Sequence, residues 1–383
     1  MNEAVYLDNA ATTFPKPEEV YSYADKAYRE FGANANRGGS PLARKASELI
    51  DSTRYSVATW FSVKKEQIIF SPSATLSLNQ VILGSRLTPG ATIYVTPFEH
   101  NSVLRPLERL RDQLDIRKKI LKVDKESYEF KLTEIETQFK AAIPEMVILN
   151  HASNVLGLIT PVRKIASMVK EINPNAVIIV DGAQLSCMDG LKIDDGLIDY
   201  YIFSAHKALY GPYGAAGFVL GSDNRPDPVI FGGTGTQSET LTMPSITPDA
   251  YEPGSPNLWS LAGLNAALSW IEEVGKENIL SKQEKLKSYL IEGLESLDNA
   301  VVYKPLGEMT SVVSFNVKDL PPQTVENYLG SQGISVRAGL HCAPWAHDHL
   351  GTLEIGGTVR VSPGYFNTEQ QIEFFLDLIS QLQ

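Results

Sequence analysis

The sequence has very few cysteines and no long apolar run. Cys187 and Cys342 are its two cysteines in 383 residues, too few for the disulfide framework of a small secreted protein. Apolar runs such as residues 177–180 are far shorter than a bilayer-spanning helix. Residues 1–13 lack a basic head followed by an apolar stretch, so they predict no signal peptide. We therefore expect a cytoplasmic protein.

Basic charge is also scarce in this chain. It contains 34 Lys and Arg against 45 Asp and Glu, which gives a formal net charge of -11. A protein of this charge is repelled by phosphate backbones and by anionic lipid. We therefore expect neither a nucleic-acid nor a membrane partner. Internal repeats and low-complexity tracts are missing as well, and 43% hydrophobic with 21% charged residues is typical of a globular protein.

Short apolar runs alternate with helical patterns across the first part of the chain. Such alternation predicts a mostly parallel sheet covered by helices, an α/β fold. The strand-like runs are residues 67–70, 91–95, 146–149, 176–180, 200–203 and 217–220.

The length of the chain exceeds what one hydrophobic core usually holds, so we expect two domains with a cleft between them. A Pro- and Gly-rich segment at 231–257 is the predicted seam. Residues 16–257 would form the large domain, and residues 1–15 and 258–383 a smaller α+β domain. In the smaller domain the patterns predict a helical stretch at 258–297, a strand at 312–317, a helix at 322–331, strands near Ile334 and Val359, and a closing helix from Thr368.

Most of the predicted strands of the first part end in a polar cluster. Ligands of open α/β sheets bind outside the carboxyl ends of the strands, so these clusters predict one composite site. They are Ser71-Pro72-Ser73-Ala74-Thr75, Glu99-His100-Asn101-Ser102, Asn150-His151-Ala152-Ser153-Asn154, Asp181-Gly182-Ala183-Gln184 and Ser204-Ala205-His206-Lys207.

Two of these clusters contain charges at the end of an apolar strand. Lys207 follows such a run, where desolvation would lower its pKa and let the amine form an imine. The alternative is a lysine that extends to the surface. Asp181 closes the run 177–180, where a carboxylate needs a cation such as a protonated pyridine nitrogen. The alternative is a helix N-cap.

The other clusters could hold the rest of a cofactor. Ser73-Ala74-Thr75 precedes a helical pattern, whose free N–H groups and dipole favour a phosphate, although an ordinary cap is equally compatible. His100 and Asn154 could contact a flat heteroaromatic ring, or be ordinary turn residues. An imine-forming lysine, a pyridinium partner, an anion site and ring contacts are together what pyridoxal 5′-phosphate (PLP) requires.

The sequence resembles the cysteine desulfurase and selenocysteine lyase family of the class V aminotransferase superfamily, which are fold-type I PLP enzymes. The match runs nearly end to end and includes the opening motif Leu7-Asp8-Asn9-Ala10-Ala11-Thr12-Thr13. The resemblance implies a seven-stranded, mostly parallel sheet in the large domain and a homodimer. It also implies cofactor roles for Lys207 (imine), Asp181 (ring nitrogen), Gln184 and Asn154 (ring oxygen), His100 (stacking and catalysis) and Ala74, Thr75, Ser204 and His206 (phosphate), with Thr236 reaching the phosphate from a second subunit.

Cys342 lies in the segment Val336-Arg337-Ala338-Gly339-Leu340-His341-Cys342-Ala343-Pro344. A neighbouring histidine and an upstream arginine favour a thiolate, and the resemblance implies that Cys342 accepts the substrate sulfur as a persulfide. The competing interpretation is a zinc site, because His341, His347 and His349 surround this cysteine in the sequence. We predict that Cys187 is buried packing in a helical segment.

Arg360 lies on an apolar, strand-like run, where it needs an anionic partner. That partner could be a structural carboxylate; the resemblance implies the α-carboxylate of the substrate. Asn34, Arg37 and Arg337 are further candidates for substrate contacts.

The resemblance implies an enzyme that converts L-cysteine to L-alanine and passes sulfur through Cys342 to an acceptor protein. Ser73, Leu76 and Ser40 depart from residues common in the family, which leaves the subgroup open. A selenocysteine lyase, another class V aminotransferase or carbon–sulfur lyase, and a catalytically silent or zinc-binding scaffold remain alternatives.

Overall fold

The computed structural model describes residues 4–35, 39–237 and 239–382. The elements of the N-terminal part are β1 (Val5–Tyr6), α1 (Glu18–Phe31), α2 (Pro41–Phe61), β2 (Ile68–Ser71), α3 (Ala74–Leu83), β3 (Thr92–Val95), α4 (Asn101–Leu114), β4 (Arg117–Ile120), α5 (Leu132–Ala141), β5 (Met146–Asn150), α6 (Val162–Ile172), β6 (Val177–Asp181), β7 (Tyr200–Ser204) and β8 (Ala216–Leu220). Those that follow are α7 (Leu258–Val274), α8 (Lys276–Glu295), β9 (Ala300–Tyr303), β10 (Val313–Val317), α9 (Pro322–Ser331), β11 (Ile334–Ser335), β12 (Arg337–Gly339), α10 (Pro344–Leu350), β13 (Thr358–Val361) and α11 (Glu369–Ser380).

A seven-stranded sheet forms the centre of the large domain, in the order β2-β8-β7-β6-β5-β3-β4. β8 runs antiparallel to both of its neighbours, and the remaining strand pairs are parallel. β5, β7 and β8 are buried along their whole length, as expected for strands covered by helices on both faces. The predicted α/β fold with a mostly parallel seven-stranded sheet is confirmed.

The direction of the strands decides where the polar clusters lie. β2, β3, β5, β6 and β7 all point the same way, and each of them is followed by one of the five clusters. Their carboxyl ends therefore meet at one edge of the sheet, which is where the sequence predicted a composite site.

The C-terminal part is built on an antiparallel sheet in the order β12-β13-β10-β9. β1 pairs with β11, and Asp8 forms a bridge with Ser362, so the N-terminal segment joins this part of the molecule. Its hydrophobic cluster unites Val5 and Leu7 with residues of α8, α9 and α11. α11 starts with a capping box, in which Thr368 and Gln371 satisfy each other's backbone N–H groups.

The seam between the two domains stays a prediction, and the packing favours a position somewhat later than residue 257. Buried residues of α7, together with Ile279 at the start of α8, belong to the cluster of the large domain. Leu286 and the following buried residues of α8 belong to the cluster of the small domain. The packing therefore places the change of core within α8.

Two local predictions need correction. The helical stretch from Leu258 is interrupted at Gly275, whose φ of 83° ends α7 before α8 begins. Cys187 lies in a series of turns with φ of 59°, not in a helix, although it is buried as predicted. In the described part of the chain, no helix combines the length and apolar character needed to cross a bilayer.

Candidate active site

A pocket opens at the carboxyl edge of the sheet, and residues from all five polar clusters line it. Nine of the ten residues that the sequence predicted for cofactor binding line this pocket; Thr236 does not. The lining residues are Ser73, Ala74, Thr75, Phe98, His100, Ser102, Asn150, Ala152, Asn154, Asp181, Ala183, Gln184, Ser204, His206 and Lys207.

Lys207 follows β7 in a loop that the N-terminal motif braces. Thr13 donates its backbone N–H to the carbonyl of His206 over 3.0 Å, and its hydroxyl lies 3.3 Å from the carbonyl of Lys207. Burial lowers the pKa of Lys207 to about 8, with Asp181 acting in the opposite direction. Within the described residues its Nζ makes no hydrogen bond. This amine therefore loses its proton far more readily than an exposed lysine does.

Asp181 ends β6 and is buried, with 7% of its surface exposed. Its Oδ1 accepts a hydrogen bond from the backbone of Ala183 over 3.1 Å, and no cation of the described residues lies within ion-pair distance. Burial raises its pKa. A buried carboxylate of this kind is costly without a counter-charge, so the site fits a protonated ring nitrogen.

Backbone geometry also shapes this corner of the pocket. A Cβ at Gly182 would lie 2.2 Å from the ring of Tyr201, so only glycine fits directly after Asp181. The hydroxyl of Tyr201 forms a hydrogen bond with His151 Nδ1 over 2.8 Å, and His151 Nε2 lies 3.0 Å from Asp189 Oδ2. These hydrogen bonds connect β7 with the segments that follow β5 and β6, and so stabilise this side of the pocket.

The N-terminus of α3 lies at the pocket and has free backbone donors. Ser73 is the N-cap, and its hydroxyl accepts from Leu76 N over 3.3 Å, which leaves the N–H groups of Ala74 and Thr75 without an intrahelical partner. His206 Nδ1, on the same pocket, is buried and has no hydrogen-bond partner among the described residues. These donors, with the helix dipole, fit a phosphate.

His100, Asn154 and Gln184 line the same pocket as Asp181 and the N-terminus of α3. His100 is the N-cap of α4, and burial lowers its pKa to about 4. Asn154 Nδ2 donates to the carbonyl of His341 over 2.7 Å. Gln184 Nε2 donates to the carbonyl of Ala10 over 3.0 Å. The last two bonds tie the pocket to the Cys342 loop and to the N-terminal motif.

Cys342 is exposed, in a loop that contacts the segment following β3. Its carbonyl accepts from the backbone of Asn101 over 2.7 Å, directly after His100. Ala343 and Ala346, at the start of α10, are buried against Phe98 and neighbouring residues of the large domain. A negative charge at Cys342 would act on Lys207 by raising the pKa of the lysine, as Asp181 does.

The histidines around Cys342 point to other partners. His341 Nε2 lies 3.1 Å from Thr358 Oγ1, His347 Nδ1 lies 2.8 Å from Thr352 Oγ1, and His349 Nε2 lies 3.3 Å from the carbonyl of Asp124. Across the ranges 4–35, 39–237 and 239–382, no three His, Cys, Asp or Glu side chains come together as a metal site. The geometry therefore gives the zinc interpretation no support.

Arg360 is buried on β13 and is held at both ends of its guanidinium. Nη2 donates to Asp8 Oδ1 over 2.6 Å and Nη1 to the carbonyl of Asn154 over 3.0 Å, whereas Nε is buried without a partner. Arg337 lies opposite Arg360 in the strand register and forms no ion pair in the described part of the chain. Of these two arginines only Arg360 pairs with a carboxylate of the described residues, and the excess positive charge favours an anionic ligand.

Two further predicted residues, Asn34 and Thr236, do not line this pocket. Asn34 lines a different cavity, with Arg54 and Phe70, at some remove from Lys207 in its own chain. Thr236 is exposed, and its hydroxyl donates to Asp249 over 2.7 Å. Arg37 lies outside the described residues. Their roles stay predictions.

Sequence reasoning did not single out Asp8, Glu99 or Ser102 as site residues. Asp8 pairs with an arginine 352 positions away, which no local pattern reveals. Glu99, which precedes His100 in the chain, is fully buried, and its Oε1 accepts from Asn150 N over 2.9 Å and from Thr96 Oγ1 over 2.8 Å. Ser102 bonds to His100. The one available signal was that Glu99 and Ser102 belong to a strand-end cluster.

Comparison with known proteins gives consistent matches over nearly the whole chain. A family model described as Aminotransferase class-V matches residues 5–375. A probable cysteine desulfurase of Pyrococcus abyssi is 33% identical over 99% of this chain and 94% of that protein. One from Halalkalibacterium halodurans is 30% identical over 96% of this chain and 90% of its own length. The apo structure of a cysteine desulfurase from Thermococcus onnurineus NA1 superimposes with a TM-score of 0.90 at 31% identity, covering 99% of this chain and 94% of the other.

Proposed function

This chain belongs to the class V aminotransferase family, and on that premise we propose that it is a PLP-dependent cysteine desulfurase. The observation that carries the proposal is the pocket at the carboxyl edge of the sheet. It unites a low-pKa lysine, a buried carboxylate without a cation and a helix N-terminus with free N–H groups. The curated relatives carry the name of the same activity.

The residues of the pocket fit PLP group by group. Lys207 would bind its aldehyde carbon, Asp181 its ring nitrogen, and Ala74, Thr75, Ser204 and His206 its phosphate. His206 Nδ1, buried without a partner, supports this assignment because a phosphate oxygen would satisfy it. When bound, PLP supplies an aldehyde that condenses with amines and a ring that withdraws electrons from the bound amino acid.

Arg360 and Arg337 would hold the carboxylate of the substrate. They face each other across β12 and β13, and Arg360 retains an unpaired, buried Nε–H. Asp8 and the carbonyl of Asn154 keep the guanidinium of Arg360 in place, so that it need not reorganise when the carboxylate binds. This position orients the α-carbon of cysteine toward Lys207.

Lys207 would remove the proton from the α-carbon of the bound cysteine. Its pKa of about 8, lowered by burial, is close enough to neutral pH that the amine can both release and accept a proton during the reaction. Asp181 would stabilise positive charge on the ring nitrogen, which increases the electron demand at that carbon.

Cys342 would take the sulfur. The Cβ–Sγ bond of the substrate breaks, a bond forms between the substrate sulfur and Cys342 Sγ, and a proton is delivered to Cβ. L-cysteine and the Cys342 thiol thereby become L-alanine and a Cys342 persulfide, with no external oxidant or reductant. The exposure of Cys342 allows an acceptor protein or a small thiol to remove the outer sulfur.

The active unit would be a homodimer. Thr236 has no contact with the pocket of its own chain, and apolar side chains on the same stretch are strongly exposed. These include Phe231, Leu241 and Ile246. A second copy of the chain would cover this surface and receive Thr236 near its phosphate site.

Replacement of the two cysteines tests the proposal. In Cys342→Ala, we expect L-cysteine-dependent alanine and sulfide formation to fall at least about a hundredfold, because the sulfur acceptor is lost. Cys187→Ala is the matched control, since this thiol is buried and burial raises its pKa. Equal activity of Cys342→Ala and the wild type would reject the persulfide role.

The same pair of proteins separates this activity from the lyase alternative. L-selenocysteine, which has a better leaving atom, serves as the second substrate. A cysteine desulfurase loses cysteine turnover in Cys342→Ala, whereas a selenocysteine lyase keeps turnover of selenocysteine at the wild-type level and shows little with cysteine in either protein. Turnover that requires a keto acid would indicate an aminotransferase.

A further inference from the structure

The side chain of His100 is held at one nitrogen by the first turn of α4. The backbone N–H of Ser102 donates to His100 Nδ1 over 3.0 Å, and the hydroxyl of Ser102 lies 2.7 Å from the same atom. His100 is thus the N-cap of α4 through its imidazole ring. Its Nε2 makes no hydrogen bond with any described residue, although the ring lines the pocket.

The contact with the backbone determines which nitrogen carries the proton. A backbone N–H can only donate, so Nδ1 must offer its lone pair. A neutral imidazole has one N–H and one lone pair, so the proton of His100 is on Nε2. The hydroxyl of Ser102 can rotate and donate to Nδ1 as well, which reinforces the same tautomer.

The other two states of the ring are disfavoured by the same geometry. A proton on Nδ1 would face the N–H of Ser102 across 3.0 Å and leave the first turn of α4 without its cap. A doubly protonated ring would have that clash and would also be repelled by nearby positive charges. Burial is the first cause that lowers the pKa of His100, and Lys207, Arg337, Arg105 and Arg360 lower it further.

We propose that Ser102 and the N-terminus of α4 hold His100 as a neutral ring with its proton on Nε2, so that His100 donates a hydrogen bond into the pocket and is not the base of the reaction. Ser102 is then a positioning residue, since it acts through His100. The part of this statement that concerns the reaction rests on the proposed function; the position of the proton does not.

The consequence concerns the path of the protons. A base must accept a proton at the nitrogen that faces the substrate, and Nε2 of His100 has no free lone pair in this state. In the proposed reaction, Lys207 is then the base that takes the proton from the α-carbon, and it also donates the proton back. Removal of the substrate thiol proton would then fall to Lys207 or to water, and His100 would stabilise negative charge by donation.

Nitrogen NMR of the cofactor-free protein tests the position of the proton directly. The protein is labelled with ¹⁵N-histidine, and the His100 signals are the ones lost in His100→Gln. We expect Nε2 to show a directly bonded proton and Nδ1 to show none, without change between about pH 6 and pH 9. A proton on Nδ1, or a doubly protonated ring at pH 7, would overturn the proposal.

Ser102→Ala tests the role of the hydroxyl. The change keeps the backbone N–H but removes one donor to the neutral ring, so the pKa of His100 should rise by roughly half a unit, and Ser102→Thr should restore it. Ser260→Ala is the matched control, because Ser260 is also a buried serine in the first turn of a helix. A pKa in Ser102→Ala that equals the wild-type value would remove Ser102 from the proposal.

The pH profile then tests the role in the reaction. We expect the acid limb of kcat/KM for L-cysteine to keep its position in Ser102→Ala, because Lys207 and not His100 governs it. An acid limb that moves with the pKa of His100 would identify the histidine as the base and refute the inference. If L-cysteine is not turned over at all, the proposed function fails, while the NMR result still decides where the proton lies.

Discussion

At the scale of single residues, the site depends on buried groups whose charge state is set by their surroundings. Lys207, Asp181, Glu99 and His100 all have shifted pKa values, and burial is the largest cause in each case. Burial favours the neutral form of every one of them. Burial therefore lowers the net charge of these side chains, so that the charged groups of a cofactor and a substrate can be accommodated in the pocket.

Glu99 gives a prediction about stability. Burial raises its pKa from 4.5 to about 8, so the folded protein binds a proton that the unfolded chain releases as the pH rises through this window. Stability is then lost between about pH 4.5 and pH 8, by a few kcal/mol at about 1.4 kcal/mol for each unit. Glu99→Gln cannot ionise, so its melting temperature should gain on the wild type as the pH rises from 5 to 8.

Thermal melts at both pH values measure this difference. Glu48→Gln on α2 is the control, because Glu48 is exposed and its replacement should leave the pH dependence unchanged. A constant difference between Glu99→Gln and wild type from pH 5 to pH 8 would show that Glu99 is ionised in the folded protein throughout.

Arg360 gives a prediction about substrate binding. Arg360→Lys cannot keep its contacts to Asp8 and Asn154 while binding a carboxylate in two places. We expect KM for L-cysteine to rise about ten- to a hundredfold, with little change in the affinity for PLP. Arg86→Lys is the control, since Arg86 forms an exposed ion pair with Asp227. A weakened affinity for PLP at unchanged KM would assign Arg360 to the cofactor instead.

At the scale of elements, α10 decides where the Cys342 thiol lies. Its buried residue Ala346 packs with Ala343 against Phe98, Val155 and Leu156. This small cluster joins the Cys342 loop to the segments that follow β3 and β5, and hence to the pocket. Packing against the large domain therefore positions the loop.

Overpacking of this cluster should slow sulfur transfer. Ala346→Leu adds volume to a buried position, which costs about 1–3 kcal/mol or a shift of the helix. We expect persulfide formation on Cys342, followed by mass spectrometry, to slow at least about tenfold, while the absorbance of bound PLP is retained. Asp348→Ala changes an exposed position of the same helix and should have no effect. An unaffected rate in Ala346→Leu would mean that α10 does not position the thiol.

Local patterns predicted most of the elements. The six strand-like runs of the large domain correspond to β2, β3, β5, β6, β7 and β8, because buried strands are continuous apolar segments. β4 was not predicted, since Arg117–Ile120 is a largely exposed edge strand with three basic residues. The turns at Cys187 were mistaken for a helix, because spacing alone does not reveal a positive φ.

At the scale of the whole molecule, a mixture of two inactive variants tests the dimer. One variant is Lys207→Ala and the other is Thr236→Arg, which should impair the phosphate site of its partner. If Thr236 acts across subunits, a mixed dimer has one intact site, so refolding or co-expression of the two should restore about a quarter of the wild-type activity. If Thr236 acts within its own chain, no mixture recovers activity.

The sequence by itself determined the α/β architecture, the five polar clusters and the pocket to which they belong. Those features depend on apolar periodicity and on the rule that parallel strands share a carboxyl edge, which are local or generic. Only the tertiary structure decided that Arg360 pairs with Asp8 and that the loop of Cys342 contacts the residue after His100. The burial of Glu99 was likewise visible only in the structure. These contacts join residues far apart in the chain or depend on what covers a side chain, and no short pattern of residues contains that information.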